Sequence, residues 1–219
     1  MSTLAGRSVL VTAGGTREPI DAVRFIGNRS SGRMGAAIAA EAKRRGAEVT
    51  LIAANLAIDA PVGVQVVEAP TAADVARETL ARRDADVIVM AAAVADYRPA
   101  EPLEAKRPKD DKHWRLELEP TEDVLRALTA QASNGRVVVG FAAETGNAGL
   151  DRARAKRTSK KVDLVVYNDV GATGVGFDAA ENQIVIISAE GERHVERAPK
   201  ERIAAEILDD VEQLLGEEV

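Results

Sequence analysis

The chain contains no cysteine. Disulfides, thiolate metal sites and a cysteine nucleophile are therefore excluded. Histidine is almost as scarce: His113 and His194 are the only two, far apart and in no His-x-x-x-His pattern, so nothing suggests a zinc site. Aromatic residues make up only 3% of the chain. A core must then be built from Val, Ile, Leu and Ala, as in parallel-sheet proteins. No apolar run reaches the roughly 18–20 residues needed to span a bilayer. The opening MSTLAGRS does not read as a signal peptide. A net charge of −6 argues against coating nucleic acid or an anionic membrane. What remains is a cytoplasmic enzyme or binding domain. At 219 residues and 46% hydrophobic content the chain fits a single domain, 1–219, with a full core. No repeat, low-complexity tract or interdomain linker interrupts it.

The chain reads as organised around residues 9–35. An apolar β-branched run at 9–12 predicts the first strand. A long connection, 13–32, carries Gly14-Gly15 and ends in Asn28-Arg29-Ser30-Ser31-Gly32, before an alanine-rich helix over 36–45. Strand, glycine loop, hydroxyl and basic side chains, then helix start: that order builds an anion site, because free N–H groups at a helix N-terminus face the bound charge. Ser30 or Ser31 is expected to cap the helix, and Gly46 to end it. An ordinary capped helix start is the simpler alternative.

Further strands are expected at 47–53, 64–67 and 86–93, with a helix opened by a capping box at Thr71 and Asp74 and running to about residue 83. The order β-loop-α-β-β-α-β predicts an α/β fold: a Rossmann-like, doubly wound, open and mostly parallel sheet. Ligands then bind beyond the carboxyl ends of the strands, here 12–16, 53 and 92–96. Asp96 follows an almost wholly apolar strand and small alanines. It suits a ribose, base or metal-bound water, or else it simply forms a turn before Pro99. Residues 97–112 form a basic, proline-broken loop. Residues 114–119 alternate like an edge strand. Thr121 is expected to cap a helix to about 132. Strands follow at 136–143 and 162–167, separated by a basic helix over 149–160. Gly171, Gly174 and Gly176 loosen the chain, a small β-hairpin extension spans 183–196, and an amphipathic helix closes at 200–215. Lys156 and Lys160, four residues apart, share a helix face.

The usual ligand patterns fail. Gly-x-Gly-x-x-Gly is absent, no acid closes the second strand, and no Gly-Lys-Ser/Thr exists. This counts against an NAD(P)-dependent oxidoreductase and leaves a nonstandard nucleotide mode, as an enzyme or as a nucleotide-sensing module.

Taken together, several blocks resemble phosphopantothenate–cysteine ligase, the synthetase half of a bifunctional coenzyme A enzyme. They are Val11-Thr12-Ala13-Gly14-Gly15-Thr16-Arg17-Glu18, Asn28-Arg29-Ser30-Ser31-Gly32-Arg33-Met34-Gly35, Ala92-Ala93-Val94-Ala95-Asp96-Tyr97-Arg98-Pro99, Lys106, Gly140-Phe141-Ala142-Ala143-Glu144-Thr145, Lys156 with Lys160, and Asn168-Asp169-Val170. They cover almost the whole chain, in order. The resemblance implies two steps. The carboxylate of 4′-phosphopantothenate attacks the α-phosphate of CTP, expelling pyrophosphate; the amine of L-cysteine then attacks the acyl-cytidylate, releasing CMP. It also implies roles. Asn28 acts on the acyl-cytidylate, and Lys106 on the transferring phosphoryl group. Gly14, Gly15, Ser31 and Gly32 donate to the triphosphate, whose oxygens Mg²⁺ bridges. Ala92, Asp96, Phe141, Lys156, Lys160 and the helix start Glu122, Asp123, Val124 and Leu125 contact cytidine. A homodimer is implied, with the 183–196 hairpin and the 114–119 strand as its contact. The flavin-dependent decarboxylase half that usually precedes this domain is not in the chain, which implies an excised domain or a monofunctional version. Two positions depart from the family: Lys106-Arg107-Pro108-Lys109 replaces Lys-x-Lys-Lys, and Thr121-Glu122-Asp123 replaces Asn-Pro-Asp.

Overall fold

The structure, a computed structural model, describes residues 2–130, 135–144, 148–169, 171 and 179–217. In chain order the elements are β1 (Ser8–Gly14), β2 (Arg17–Pro19), β3 (Phe25–Gly27), α1 (Arg33–Arg44), β4 (Glu48–Ala54), β5 (Gln65–Glu68), α2 (Ala72–Leu80) and β6 (Val87–Met90). Then come β7 (Tyr97–Pro99), β8 (Leu118–Pro120), α3 (Val124–Thr129), β9 (Val137–Glu144), α4 (Gly149–Lys160), β10 (Leu164–Asp169), β11 (Glu181–Ile187), β12 (Glu192–Pro199) and α5 (Lys200–Glu217).

The eight-stranded main sheet runs β5-β4-β1-β6-β9-β10-β11-β12. Counting only its parallel strands, the order is 3-2-1-4-5-6, the doubly wound arrangement whose switch point lies between its first and fourth strands. Here those are β1 and β6 (Val9↔Val87, Val11↔Val89). Alternate residues bury on opposite faces. Val9, Val11, Val89, Val139 and Val166 meet α1 and α5. Leu10, Ile52, Ile88, Val138 and Val165 meet the other side, with α2, α3 and α4. Covering both faces is what lets these strands be apolar throughout.

Helices α1 and α5 lie side by side and run the same way. The nearly buried Arg45, just past the end of α1, pairs with Asp209 at 2.8 Å and Glu212 at 2.6 Å on α5. Their N-termini therefore emerge at the same end of the sheet, the carboxyl end of its parallel strands.

Several local expectations change. The connection 13–32 is not one loop: β2 and β3 form a small antiparallel hairpin within it. Neither Ser30 nor Ser31 caps α1. Its N-cap is Gly32, at φ 81°, with no side-chain cap. Position 32 requires glycine, since a Cβ would also sit 2.3 Å from a Leu56 methyl. Asp123, not Thr121, caps α3, because its carboxylate accepts from the Arg126 N–H at 3.0 Å. Thr121 is spent instead on the backbone of residues 95 and 96. Of the expected 114–119 strand only residues 118 and 119 form strand, in β8, which pairs with β7. Trp114 is drawn away and stacks between the Arg24 and Arg107 guanidiniums, 5.1 and 4.7 Å from the ring centre. The hairpin at 183–196 is continuous with the main sheet: β11 pairs antiparallel with β10 and leaves β12 at the edge. The Thr71–Asp74 capping box forms as expected, a contribution of about 1 kcal/mol. Of the 171–176 loop, Gly174 and Gly176 lie outside the described residues. No described helix is long and apolar enough to cross a membrane.

Candidate active site

Beyond the carboxyl ends of β1 and β6, around residues 91–96, the pairing is reduced to one parallel bridge, Gly15↔Ala93. This stretch of small side chains is irregular, yet its backbone is pinned at almost every peptide. The Ala92 N–H donates to the Thr12 hydroxyl at 3.0 Å, and the Ala95 N–H to the Thr16 hydroxyl at 2.9 Å. The Ala93 N–H donates to the Gly14 carbonyl at 2.8 Å, and the Asp96 carbonyl accepts the Thr121 N–H at 2.9 Å. The Asn28 amide nitrogen donates to the carbonyls of Ala93 and Val94, both at 3.2 Å. Side chains from three remote segments thus substitute for the missing strand ladder. They hold a rigid wall that a ligand can approach closely, because alanine projects so little from it.

A cleft of about 640 Å³ opens on this wall. One end is formed by Phe141, Lys156, Lys160 and Glu122–Leu125. The other is formed by Asn28 to Ser30, the start of α1, Asn168, Asn182 and Lys200, and residues 90–96 join the two. At the first end the Lys160 ammonium donates to the Asp123 carboxylate. Burial works against that carboxylate's charge, but Lys160 and the Arg126 N–H hold its pKa below the usual value. Lys156 donates to the Phe141 carbonyl at 2.7 Å. Glu144 is engaged by Arg152 at 2.7 Å. Asp96 stands exposed at the rim. At the second end α1 presents an uncapped N-terminus with no acidic residue in its first turn. The start of a 12-residue helix left open in this way favours an anion.

The Lys156 ammonium is pushed below the ordinary lysine value of 10.5, chiefly by burial and then by Lys160 beside it, with Asp123, Asp96 and Glu144 opposing. The unfolded chain therefore holds that proton more tightly than the fold does. The resulting destabilisation is fully present below the folded pKa. It fades as pH rises towards the unfolded value. Lys156→Met is thus expected to gain thermal stability relative to wild type at pH 7, and to lose that advantage by about pH 10. Melting curves at the two pH values check this; an advantage that grows with pH would refute it.

Most of the predicted site is brought together. Asn28, Gly32, Ala92, Asp96, Glu122, Asp123, Val124, Leu125, Phe141, Lys156 and Lys160 all line the cleft. Gly14, Gly15, Ser31 and Lys106 do not. Gly14 lies against β4, where a Cβ would meet the Ala54 carbonyl oxygen at 2.0 Å; at Gly15 it would meet the Asn28 carbonyl oxygen at 2.7 Å. Both glycines are explained by backbone packing. Ser31 is buried behind the helix start. Lys106 is exposed in a loop tethered through its neighbour: the Arg107 N–H donates to Asp21 at 3.2 Å, and its carbonyl accepts from Arg24 at 2.6 Å. No carboxylate closes β4. Asn55 follows it, at φ 52°, and its amide donates to the Gly15 and Pro70 carbonyls.

Sequence reasoning missed Asn182 and Lys200 altogether. The available signal was their position: each interrupts or borders an apolar run where an alternating strand or helix predicts a hydrophobic residue.

The cleft's carboxylates bear on a divalent cation. No group of three or more His, Cys, Asp or Glu residues among those described could hold one. Asp123 and Glu144 are already paired, leaving Asp96 and Glu122 as carboxylate oxygen donors in the lining. Two carboxylates suit Mg²⁺ carried in on phosphates, and do not suit a cage built by protein alone.

The profile of a family described as the DNA/pantothenate metabolism flavoprotein C-terminal domain matches residues 4–215. The coenzyme A biosynthesis bifunctional protein CoaBC of Mycobacterium bovis is 46% identical over 226 aligned residues, which cover 97% of this chain and 54% of that protein. CoaBC of Bacillus subtilis is 39% identical over 214, covering 96% and 52%. The chain spans about half the length of the curated relatives it matches. A crystal structure of the C-terminal domain of CoaBC superposes with a TM-score of 0.83 at 34% identity, over 99% of this chain and 100% of that one.

Proposed function

The chain belongs to the DNA/pantothenate metabolism flavoprotein C-terminal domain family, and from that premise we propose that it is a phosphopantothenate–cysteine ligase acting in coenzyme A biosynthesis. It joins 4′-phosphopantothenate to L-cysteine at the expense of CTP. One observation carries the reading: a pinned, small-residue wall at the switch point connects a base-sized end, with Phe141 and two lysines, to an open helix N-terminus. That is the outline of a nucleoside triphosphate.

In this reading the cytidine occupies the end formed by Phe141, Lys156, Lys160 and Asp123. Phe141 supplies a face, and Lys156 and Lys160 supply charge. The triphosphate runs along residues 91–96 towards Gly32 and the first N–H groups of α1. Gly14 and Gly15 shape that path from behind. Asp96 and Glu122 would hold a Mg²⁺ bound to the triphosphate, which would supply charge neutralisation at the phosphates. Phosphoryl transfer asks mainly for positioning and electrostatics, so the first step needs the carboxylate of 4′-phosphopantothenate held near the α-phosphate. Lys106 reaches that group only if the 100–113 loop folds over the cleft. Asn28, fixed at the wall, is the neutral donor nearest the acyl-phosphate linkage.

The homodimer belongs to the same proposal. Exposed large apolar side chains gather near the two small hairpins (Phe25, Tyr97, Leu116 and Leu118). That face includes the 114–119 segment and is the better contact, since β12 presents mostly charged residues. A flavin-dependent decarboxylase partner domain fits the half-length match to the curated relatives. The cytoplasm is the proposed setting.

The test is pyrophosphate release from CTP with 4′-phosphopantothenate and Mg²⁺, with and without L-cysteine. Release without cysteine, limited to one turnover, followed by steady turnover when cysteine is added, is the expected result. Folded protein that releases no pyrophosphate refutes the ligase reading.

A further inference from the structure

The carboxamide oxygens of Asn168 and Asn182 are buried without a hydrogen-bond partner. Asn182 is 2% exposed and Asn168 8%, and both line the cleft. Burying an amide oxygen unpaired is costly, so each such atom calls for an explanation.

The register gives one. Asn168 lies opposite Ile184 in the β10–β11 pair, and Asn182 is two residues from Ile184 on the same face. Both continue apolar columns, Leu164–Val166–Asn168 and Ile186–Ile184–Asn182, that elsewhere pack on α1 and α5. At the end of the sheet where the two helices begin, each column turns from hydrocarbon to amide. The Asn182 amide nitrogen lies 3.9 Å from the Met34 sulfur in the first turn of α1. Both asparagines therefore line the cleft near the uncapped α1 N-terminus, as does Lys200, whose ammonium donates to the Ala179 carbonyl.

Paired acceptors next to N–H donors match a zwitterion. We propose that this end of the cleft is the subsite for the α-amino acid co-substrate. Its ammonium donates to the Asn168 and Asn182 oxygens, and its carboxylate takes the first N–H groups of α1 once pyrophosphate has left them. The inference rests on the ligase reading for the identity of that amino acid, L-cysteine. An ammonium group brings three donors, enough to satisfy both oxygens, which a phosphate or carboxylate alone cannot do.

The experiment compares Asn182→Leu and Asn168→Leu with wild type in two assays. The KM for L-cysteine is expected to rise about tenfold or more. Pyrophosphate release without cysteine, a half-reaction in which the amino acid takes no part, is expected to continue. Asn182→Asp keeps an acceptor oxygen and is expected to recover most of the affinity. An unchanged KM for cysteine, or an equal loss in the half-reaction, overturns the proposal. Calorimetric titration adds a readout independent of turnover and of the variants' folding. S-methyl-L-cysteine is expected to bind wild-type protein, and 3-mercaptopropionate, which lacks the amine, is not. Equal binding of both, or of neither, overturns the subsite. Absence of pyrophosphate release in wild type would instead overturn the ligase reading.

Discussion

Replacing Asn28 by aspartate is expected to leave formation of the acyl-cytidylate standing and to slow its aminolysis by about two orders of magnitude. The reason is local. Asn28 is anchored at the wall by its amide nitrogen, which donates to the Ala93 and Val94 carbonyls at 3.2 Å. An amide is a neutral donor with no proton to lose at working pH. In the proposed second step negative charge gathers on the acyl oxygen as the cysteine amine attacks, and one N–H can turn from a wall carbonyl to meet it. Aspartate is nearly isosteric but cannot donate. Its carboxylate would also face two carbonyl oxygens, so it would swing into the cleft and oppose the charge it should stabilise. On the proposed route the first step depends more on positive charge at the triphosphate. Rapid quench with labelled CTP checks this: the intermediate should accumulate in the variant and decay slowly on addition of cysteine. If the variant makes no intermediate at all, Asn28 serves the first step and the assignment is wrong.

Gly14→Ala is expected to cost the fold roughly 3 kcal/mol or more, where a purely ligand-binding glycine would cost affinity alone. Gly14 has φ 93°, and an added Cβ would lie 2.0 Å from the Ala54 carbonyl oxygen and 2.8 Å from its carbon. The obstacle is backbone in the neighbouring central strand, which cannot step aside without breaking the β1–β4 ladder. Gly6→Ala separates the two contributions. It has φ 76° and nothing within 4 Å, so it carries only the conformational penalty of about 1–2 kcal/mol. For a chain of this size the difference should appear as a fall in Tm of several degrees, about 2–4 °C per kcal/mol, for Gly14→Ala beyond that for Gly6→Ala. Wild-type melting of Gly14→Ala together with lost CTP binding would return this glycine to the phosphate site.

These two residues mark how much of the site could be read in advance. Asn28 was legible because a polar run directly before an alanine-rich helix has few structural uses. Asp96 was legible after its apolar strand and Lys156 with Lys160 from their helical spacing, their cytidine roles and that of Phe141 came from the family likeness, and the fold brings all four to one cleft. At Gly14 and Gly15 the sequence left two uses open, because a glycine pair after a strand looks the same whether it admits a phosphate or a neighbouring strand. Only the position of Ala54 and of the Asn28 carbonyl distinguishes the two. Thr121 shows the same limit. Its place before a helix suggested a cap, but its hydroxyl reaches the Ala95 carbonyl at 2.5 Å, a partner 26 residues away, and Asp123 caps the helix.

By itself the sequence determined the parallel α/β sheet, because uninterrupted Val, Ile and Leu runs can be buried only where helices cover both faces. It also determined the helix ends that carry their own signals, such as Gly46 after α1, at φ 90°, and the boxed start of α2. The tertiary structure alone decided which strand ends meet, and therefore which residues share a cleft. It also turned α1 and α5 the same way through Arg45, and so carried Asn168, Asn182 and Lys200 to the end of the cleft. That outcome depends on contacts between residues more than 100 positions apart, and local periodicity carries no information about such pairs.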